Sequence, residues 1–485
     1  MGIQWSGLGP ELLLSMDRDS GQPLRSQLEA GLRDAIRTGR LGAGERLPSS
    51  RELARELGVS RGLIQECYAQ LLSEGYLTSH AGSATRVATG AQPAAARPSK
   101  VLPSGPRLIA DFRPGVPDLA SFPRGDWARA VREACTSAAN ADLDYGDPRG
   151  SLVLREVLAG YLRRVRAADA DAARLIACTG FAQGLVLVLQ ALARTGARSV
   201  AFEEPGYGGP EISEVVRAVA ASGQQVAHVP VDDLGIDVAA LDASRARVVV
   251  VMPAHQTPTG VVLAASRRHA LVDWARDTGS FIIEDDYDSE FRYDREPVGV
   301  LQGLAPGHVV TIGTASKALA PAVRLGWVLA PPDLADAIAA EKLISDRGSP
   351  VLDQLALAAL LQSGRYDRHL RHMRSVYANR RGLLIAALGR HAPTVRLTGL
   401  AAGFHAVAHL PDGADEAGIV AAARDRQVGL TGMSTFRASR ATDPPQLVIG
   451  FGDVGDRAVE PGIAAVADLL AARDWQAQPS SERKA

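Results

Sequence analysis

The sequence predicts an α/β protein in two parts. A large, mostly parallel sheet covered by helices on both faces is preceded by a small unit of three helices and a hairpin. Three observations carry this reading. From Asp111 onward, apolar strands at Ser199–Glu203, Arg247–Met252, Ser280–Glu284 and His308–Gly313 alternate with helical patterns, as in parallel sheets. The first 90 residues instead show helical periodicity broken by caps, ending in two short β-like runs. Between the two parts, residues 89–107 (TGAQPAAARPSKVLPSGPR) lose apolar periodicity and read as an exposed, partly extended linker.

Composition bounds the answer. At roughly 100–200 residues per domain, 485 residues predict two to four domains. With 46% hydrophobic and 22% charged residues the chain is near the globular average, which excludes disordered, collagenous and fibrous classes. No apolar run approaches the roughly 18 residues of a membrane span, and no charged-then-apolar leader opens the chain. A soluble, cytoplasmic protein with no membrane partner is expected. Cys67, Cys135 and Cys178 lie far apart and suit neither a disulfide frame nor a zinc site, so no metal is expected. Net charge is −1, and residues 1–90 hold ten arginines against ten acids, so DNA binding must be argued from local geometry.

In the small unit, Leu24, Leu28, Leu32 and Ile36 recur at helical spacing before Gly39. Ser49 and Glu52 form a capping box for a short helix carrying Leu53, Ala54 and Leu57, stopped by Gly58. Ser60 caps a third helix with Leu63, Ile64, Cys67, Leu71 and Leu72 on one face, before Gly75. Tyr76–Thr78 and Thr85–Ala88 read as strands joined by His80-Ala81-Gly82-Ser83. This order predicts a winged helix-turn-helix over residues 1–88. The opposite face of the third helix offers Arg61, Gln65 and Tyr68 or Ala69. Arginine pairs bidentately with guanine and glutamine with adenine in the major groove, while Arg51 is placed to fix a phosphate. Taken singly, each reads more readily as a solvated surface residue.

The stretch GRLGAGERLPSSRELARELGVSRGLIQECYAQLLSEGYLTSHAGSATRV resembles the winged helix-turn-helix of the GntR family of bacterial transcription regulators. The resemblance implies binding to double-stranded operator DNA as a dimer. Its DNA contacts fall on Arg51, Arg61, the wing-turn His80 and Gly82, and on Gln65, where some members carry arginine.

Four motifs mark the large part. In GTASKALAPAVRLGW, Lys317 follows a strand, where burial can depress its pKa for Schiff-base chemistry. Thr314 and Arg324 flank it with a hydroxyl and a guanidinium that suit a phosphate. In IIEDDYDSEFRY, carboxylates stand at a strand's C-terminal end, where open α/β sheets bind ligands. A metal site or a solvated acidic turn is the alternative there. In CTGFAQGLVLVLQAL a glycine turn opens a helix whose free N–H groups form an anion site. In EEPGYGG a strand delivers Tyr207 on a Pro/Gly loop, for ring stacking or for loop packing.

Together these motifs resemble fold type I pyridoxal-phosphate aminotransferases over roughly residues 111–470. The resemblance implies that Lys317 forms the internal aldimine and Asp285 keeps the pyridine nitrogen protonated. Tyr287 would bond the ring hydroxyl, although it lies two residues after the Asp rather than three. Gly180, Phe181 and Ala182 with Thr314 and Arg324 would cradle the phosphate, and Tyr207 would stack on the ring. Tyr145, in DYGDPRG, would enter the partner subunit's site. Two departures stand out. PAHQTPTG places Thr257 where the family has an asparagine, with His255 or Gln256 as substitutes. QLVIGFG places Val448 where an arginine clamps a substrate carboxylate, leaving Arg437 or Arg440 to reach in.

The joint architecture, with FRPGVPDLASFPRGDW, PAHQTPTG and EDDYDSEFRY, is similar to the MocR subfamily. This implies a pyridoxal-phosphate-dependent regulator whose operator affinity responds to that cofactor, as in a PdxR-like vitamin switch, or to an amine bound at Lys317. A competent aminotransferase with an accessory DNA-binding domain is the alternative. The expected layout is 1–88, linker 89–107, a domain over 108–475 with a smaller α+β lobe from about 350, and a disordered tail 476–485. A long amphipathic helix is expected around Arg365–Leu388.

Overall fold

The computed structural model describes residues 16–17, 20–79, 84–89, 108–208, 213–221, 223–293 and 298–471. The chain divides into two units, Met1–Gly105 and Pro106–Ala485. His80, Gly82, most of the expected linker and the expected tail lie outside the described residues.

The first unit contains α1 (Leu24–Arg37), α2 (Ser50–Leu57), α3 (Arg61–Ser73), β1 (Leu77–Thr78) and β2 (Arg86–Val87). Ser49 Oγ accepts from the Glu52 N–H at 3.3 Å while Glu52 Oε2 accepts from the Ser49 N–H at 2.9 Å, so the capping box is closed. Gly58 ends α2 in the left-handed region at φ 63°. Leu28, Leu32, Ile36, Leu53, Ile64, Cys67 and Leu71 form the core, sealed by the cross-strand pair Leu77 and Val87. One residue departs from the expected face. Tyr68 is buried, and its hydroxyl donates to Pro48 O at 2.9 Å, tying α3 to the segment before α2. A phenol can be buried at such a position because its only polar atom finds a carbonyl; Ala69 is the exposed residue.

The second unit carries β3 (Ala110–Asp111), β4 (Leu175–Cys178), β5 (Ser199–Glu204), β6 (Gln225–Asp232), β7 (Gly235–Ile236), β8 (Val248–Val251), β9 (Phe281–Asp286), β10 (Val309–Thr314), β11 (Gly326–Leu329), β12 (Arg396–Thr398), β13 (His405–His409), β14 (Val428–Gly429), β15 (Thr431–Gly432) and β16 (Gln446–Gly450). The main sheet runs β4-β11-β10-β9-β8-β5-β6-β7. Only β11 and β7 run against their neighbours. Both faces of the sheet are covered, which is why its strands read as continuous apolar runs. Val250, Ile283 and Ile312 pack under the helix Phe181–Arg194 through Leu185, Val188 and Leu192. Val249, Val251 and Ile282 face the helix Ala265–Thr278 through Leu271, Val272 and Ala275.

The smaller sheet, β12-β13-β16-β15, is antiparallel. Beside it, β3 pairs in parallel with β14 in a separate two-stranded sheet, so the chain entering this unit joins the smaller lobe first. The helix Val351–Gln362 in turn packs on Arg124–Ser137 and Leu152–Arg166. The long helix spans Arg365–His391.

Candidate functional site

Loops leaving the C-terminal ends of β5, β8, β9 and β10 surround a cavity of about 460 Å³. Lys317 lies just past the end of β10 and donates from Nζ to Gly115 O at 2.6 Å. Burial lowers its pKa from the ordinary ammonium value, opposed by Asp285 and Asp288. Asp285 faces it from the end of β9. Burial pushes this carboxyl up to about 7, against the lowering effects of the Tyr207 hydroxyl and Lys317. Tyr207 donates to Asp285 Oδ2, and Oδ1 has no partner. The Tyr207 ring stacks parallel on Phe181 at 5.5 Å and meets Phe202 edge-on at 5.9 Å.

The acidic strand end is divided among separate tasks. Glu284 accepts from the Leu301 N–H at 2.9 Å and from Thr311 Oγ1 at 3.1 Å, anchoring a turn; burial pushes it up to about 7. Asp286 takes a bidentate, buried pair with Arg166 at 2.6 and 2.9 Å. Asp288 bonds His255 Nδ1 at 2.8 Å. Successive side chains of a strand point to opposite faces, so Asp285 turns to the cavity while its two neighbours turn away. Among the described residues no group of three or more His, Cys, Asp or Glu could hold a metal ion.

Tyr287 and Thr257 line the cavity together. The Tyr287 hydroxyl donates to His255 O at 2.8 Å and lies 2.5 Å from Thr257 Oγ1. Neither of the two residues suggested as substitutes for the missing asparagine forms this wall. His255 is packed between Asp288 and Gly399 O. Gln256 donates from Nε2 to Pro205 O at 2.8 Å and accepts from Thr259 Oγ1 at 2.6 Å, shaping the loop instead.

At the other end, Thr314 Oγ1, Ser316 Oγ and Arg324 Nη1 converge on Gly180. Gly180 caps the helix Phe181–Arg194 at φ 114°, a conformation side chains rarely adopt. A Cβ there would stand 3.6 Å from Arg324 Nη1 and 3.7 Å from Thr314 Oγ1, occupying the space of an anion. With the first N–H groups of the helix, this is a cup for a phosphate.

In the first unit, Arg51, Arg61 and Gln65 are all exposed. Arg61 Nε lies 3.5 Å from Ser50 Oγ, so α3 presents its first turn beside the start of α2. His80 and Gly82 lie outside the described residues.

Residues 24–87 match the family described as bacterial regulatory proteins, gntR family, and residues 115–442 match aminotransferase class I and II. The chain is 31% identical to the HTH-type pyridoxine biosynthesis transcriptional regulator PdxR of Corynebacterium glutamicum, over 95% of this chain and 99% of the relative. It is also 31% identical to the probable rhizopine catabolism regulatory protein MocR of Rhizobium meliloti, over 93% and 94% of the two chains. The chain is a MocR-type regulator of the GntR family. Its larger unit also superposes on Pyrococcus horikoshii kynurenine aminotransferase with a TM-score of 0.67 and 25% identity, covering 76% of this chain and 91% of that one.

The cofactor of the aminotransferase class I and II domain is pyridoxal phosphate, and the residues of this MocR-type regulator fit it. The orphaned Asp285 Oδ1 suits a ring N–H, the Gly180 cup a phosphate, and Lys317 an aldehyde. Ser316, Gly115, Thr435 and Phe436 join this wall although sequence reasoning did not single them out. Ser316 had a legible signal, a hydroxyl next to the lysine; Thr435 and Phe436 arrive from the distant smaller lobe and had none.

None of Val448, Arg437 and Arg440 lines the Lys317 cavity of the regulator's own chain. Val448 is fully buried among Val407 and Met433. Arg437 donates to Ala441 O, Asp443 O, Pro444 O and Gln446 Oε1 at 2.7–3.2 Å, so its guanidinium holds a loop. Arg440 is exposed. Tyr145 stands 74% exposed with Arg347 over its ring at 5.2 Å, and is not part of the Lys317 cavity of its own chain.

Proposed function

We propose that pyridoxal phosphate, held at Lys317 in a homodimer, sets the affinity of this transcription regulator for its operator. One observation carries the reading: lysine, ring acid and phosphate cup stand in one cavity, while Val448 and Arg437 leave an α-carboxylate without a clamp. A bidentate guanidinium is the main source of orientation for an amino-acid substrate. A site able to hold the cofactor but poorly equipped to orient a substrate suits sensing better than turnover.

Pyridoxal phosphate supplies an aldehyde that condenses with a primary amine and a ring that withdraws electrons. The chain's residues do the rest. Burial lowers the Lys317 pKa from the ordinary ammonium value, which favours the unprotonated amine whose lone pair attacks an aldehyde. Asp285, through its unpartnered Oδ1, would keep the ring nitrogen protonated. Thr257 and Tyr287 offer hydroxyls at the opposite edge. Gly180, Thr314, Ser316 and Arg324 would bind the phosphate. A shift of the smaller lobe would then change the spacing of two recognition helices, and half-site spacing on DNA is geometric.

A second copy is supported by the exposed apolar side chains Leu143, Tyr145, Leu152 and Val153 on one region of the surface. Tyr145 is the residue assigned to the partner's cavity. Action on the nucleoid in the cytoplasm follows from operator binding; no helix among the described residues is long and apolar enough to cross a membrane.

The test is fluorescence anisotropy of DNA flanking the regulator's own gene, with cofactor-stripped protein, increasing pyridoxal phosphate and stated salt. A change in affinity that disappears in Lys317→Ala supports cofactor sensing. Equal binding at every cofactor level overturns it, and points to an amine effector or to transamination.

A further inference from the structure

Behind the cofactor cavity, at the seam with the smaller lobe, lies a buried cluster that neither the DNA reading nor cofactor binding requires. His255 and Asp288 are each 1% exposed. On the large-lobe side, Asp288 Oδ2 lies 2.8 Å from His255 Nδ1, and the Tyr287 hydroxyl lies 3.3 Å from the same nitrogen while donating to the His255 carbonyl. Tyr287 and Thr257 are themselves cavity walls. On the small-lobe side, three residues between β12 and β13 or at the start of β13 clasp the same ring. Gly399 O lies 3.4 Å from His255 Nε2, and the His405 ring packs on it with centroids 4.5 Å apart. A Cβ on Gly403 would overlap Cε1 and Nδ1 of His255 and Oδ2 of Asp288, and Gly403 has φ 67°. Only glycine permits this approach.

We infer that His255 is a positioning residue that couples the ring-hydroxyl edge of the cofactor cavity to the 399–405 segment of the smaller lobe. The inference rests on cofactor binding at Lys317 but not on a DNA response. The physical case is one of contact density. A displacement of Tyr287 or Thr257 by a fraction of an ångström moves the His255 backbone to which Tyr287 is bonded. The imidazole ring cannot absorb that movement, because Asp288, Gly399, Gly403 and His405 surround it, and close-packed interiors transmit strain. His405 supports the packing: burial, and next His255, push its pKa well below the ordinary imidazole value, so it meets His255 as a neutral ring. Asp288 Oδ1 has no partner, so the carboxylate holds the ring through Oδ2.

The same seam is close-packed beyond the histidines. A Cβ on Gly260 would overlap Gly399 Cα, and the Gly403 N–H donates to Phe291 O at 2.8 Å. The segment that His255 touches is therefore anchored to the large lobe by short contacts that a small movement can break or remake.

The test is amide hydrogen exchange on the full chain, with and without pyridoxal phosphate, followed at residues 399–405 and at the control strand β10. Expected in the wild type is about tenfold slower exchange at 399–405 when the cofactor is bound. In His255→Ala and in His405→Leu this increment falls below about twofold, while cofactor binding, read by absorbance, and the exchange of β10 stay as in the wild type. His255→Asn, which keeps a donor towards Asp288, restores part of the increment. His405→Leu guards against an unstable His255→Ala, since it replaces a buried ring by an apolar side chain of similar volume and alters no cavity wall. If the cofactor leaves 399–405 unchanged in the wild type, or protects it equally in both variants, the inference is overturned. If protection appears without any change in operator affinity, this coupling stands and cofactor sensing falls.

Discussion

Tyr207 donates its hydroxyl to Asp285 Oδ2, and the other carboxylate oxygen is left without a partner. The carboxylate is thus aimed by one bond and kept open at the atom that a protonated pyridine nitrogen needs. Asp285→Asn removes the charge from that contact, and a charge-assisted hydrogen bond contributes about 1.5–3 kcal/mol. Cofactor affinity is expected to fall about 10- to 100-fold by absorbance titration. Tyr207→Phe removes only the aiming bond and is expected to cost less than about tenfold.

Glu203, on β5, is 3% exposed and burial pushes its carboxyl up to about 8 from 4.5. A raised acid binds more protons folded than unfolded, so stability is highest below the unfolded pKa and declines as pH rises from about 4.5 to about 8. Glu203→Gln removes that decline and retains an acceptor for the Met252 N–H, now 3.0 Å from Oε2. Thermal melts at several pH values should show no gain at pH 4 and a gain on the order of 2 kcal/mol at pH 8.

Arg166 and Asp286 are 4% and 6% exposed at their side chains and bond through two parallel contacts. Breaking one side strands a buried charge. Asp286→Asn should cost about 3–5 kcal/mol in urea unfolding, whereas replacing both residues by apolar ones of similar volume should cost clearly less.

On α3, Gln65 and Arg61 face outward, and Arg51 begins α2. Gln65→Ala should relax preference at one base pair, by about 1–3 kcal/mol of discrimination, with little change in salt dependence. Arg51→Ala should weaken all sequences alike and reduce the salt slope by about 1. Anisotropy titrations at several salt concentrations separate the two.

Much of this protein was legible from local pattern. Ser49 with Glu52 gave away the start of α2, and the runs before Tyr207, Asp285 and Lys317 marked the strands that bring these residues to one end of the sheet. Other residues misled. Tyr68 looked like a reader of DNA, but its hydroxyl finds Pro48 O twenty positions earlier in the chain. His255 and Gln256 looked like substitutes for the asparagine whose place Thr257 takes, yet Thr257 itself is the one of the three that reaches the wall. A three-residue stretch of loop carries no periodicity to say which side chain turns inward.

The sequence by itself determined the two-unit layout, the capped helices and the order of the cofactor motifs, because caps, turns and periodic apolar faces arise from interactions within a few residues. Only the tertiary structure decided which of four carboxylates faces the cavity and which pairs with Arg166, 120 residues away in the chain. It also decided that Ala110–Asp111 joins the smaller lobe through Val428–Gly429 and that His255 is gripped from both lobes. Partner choice between distant segments depends on burial and close packing, and no local spacing records it.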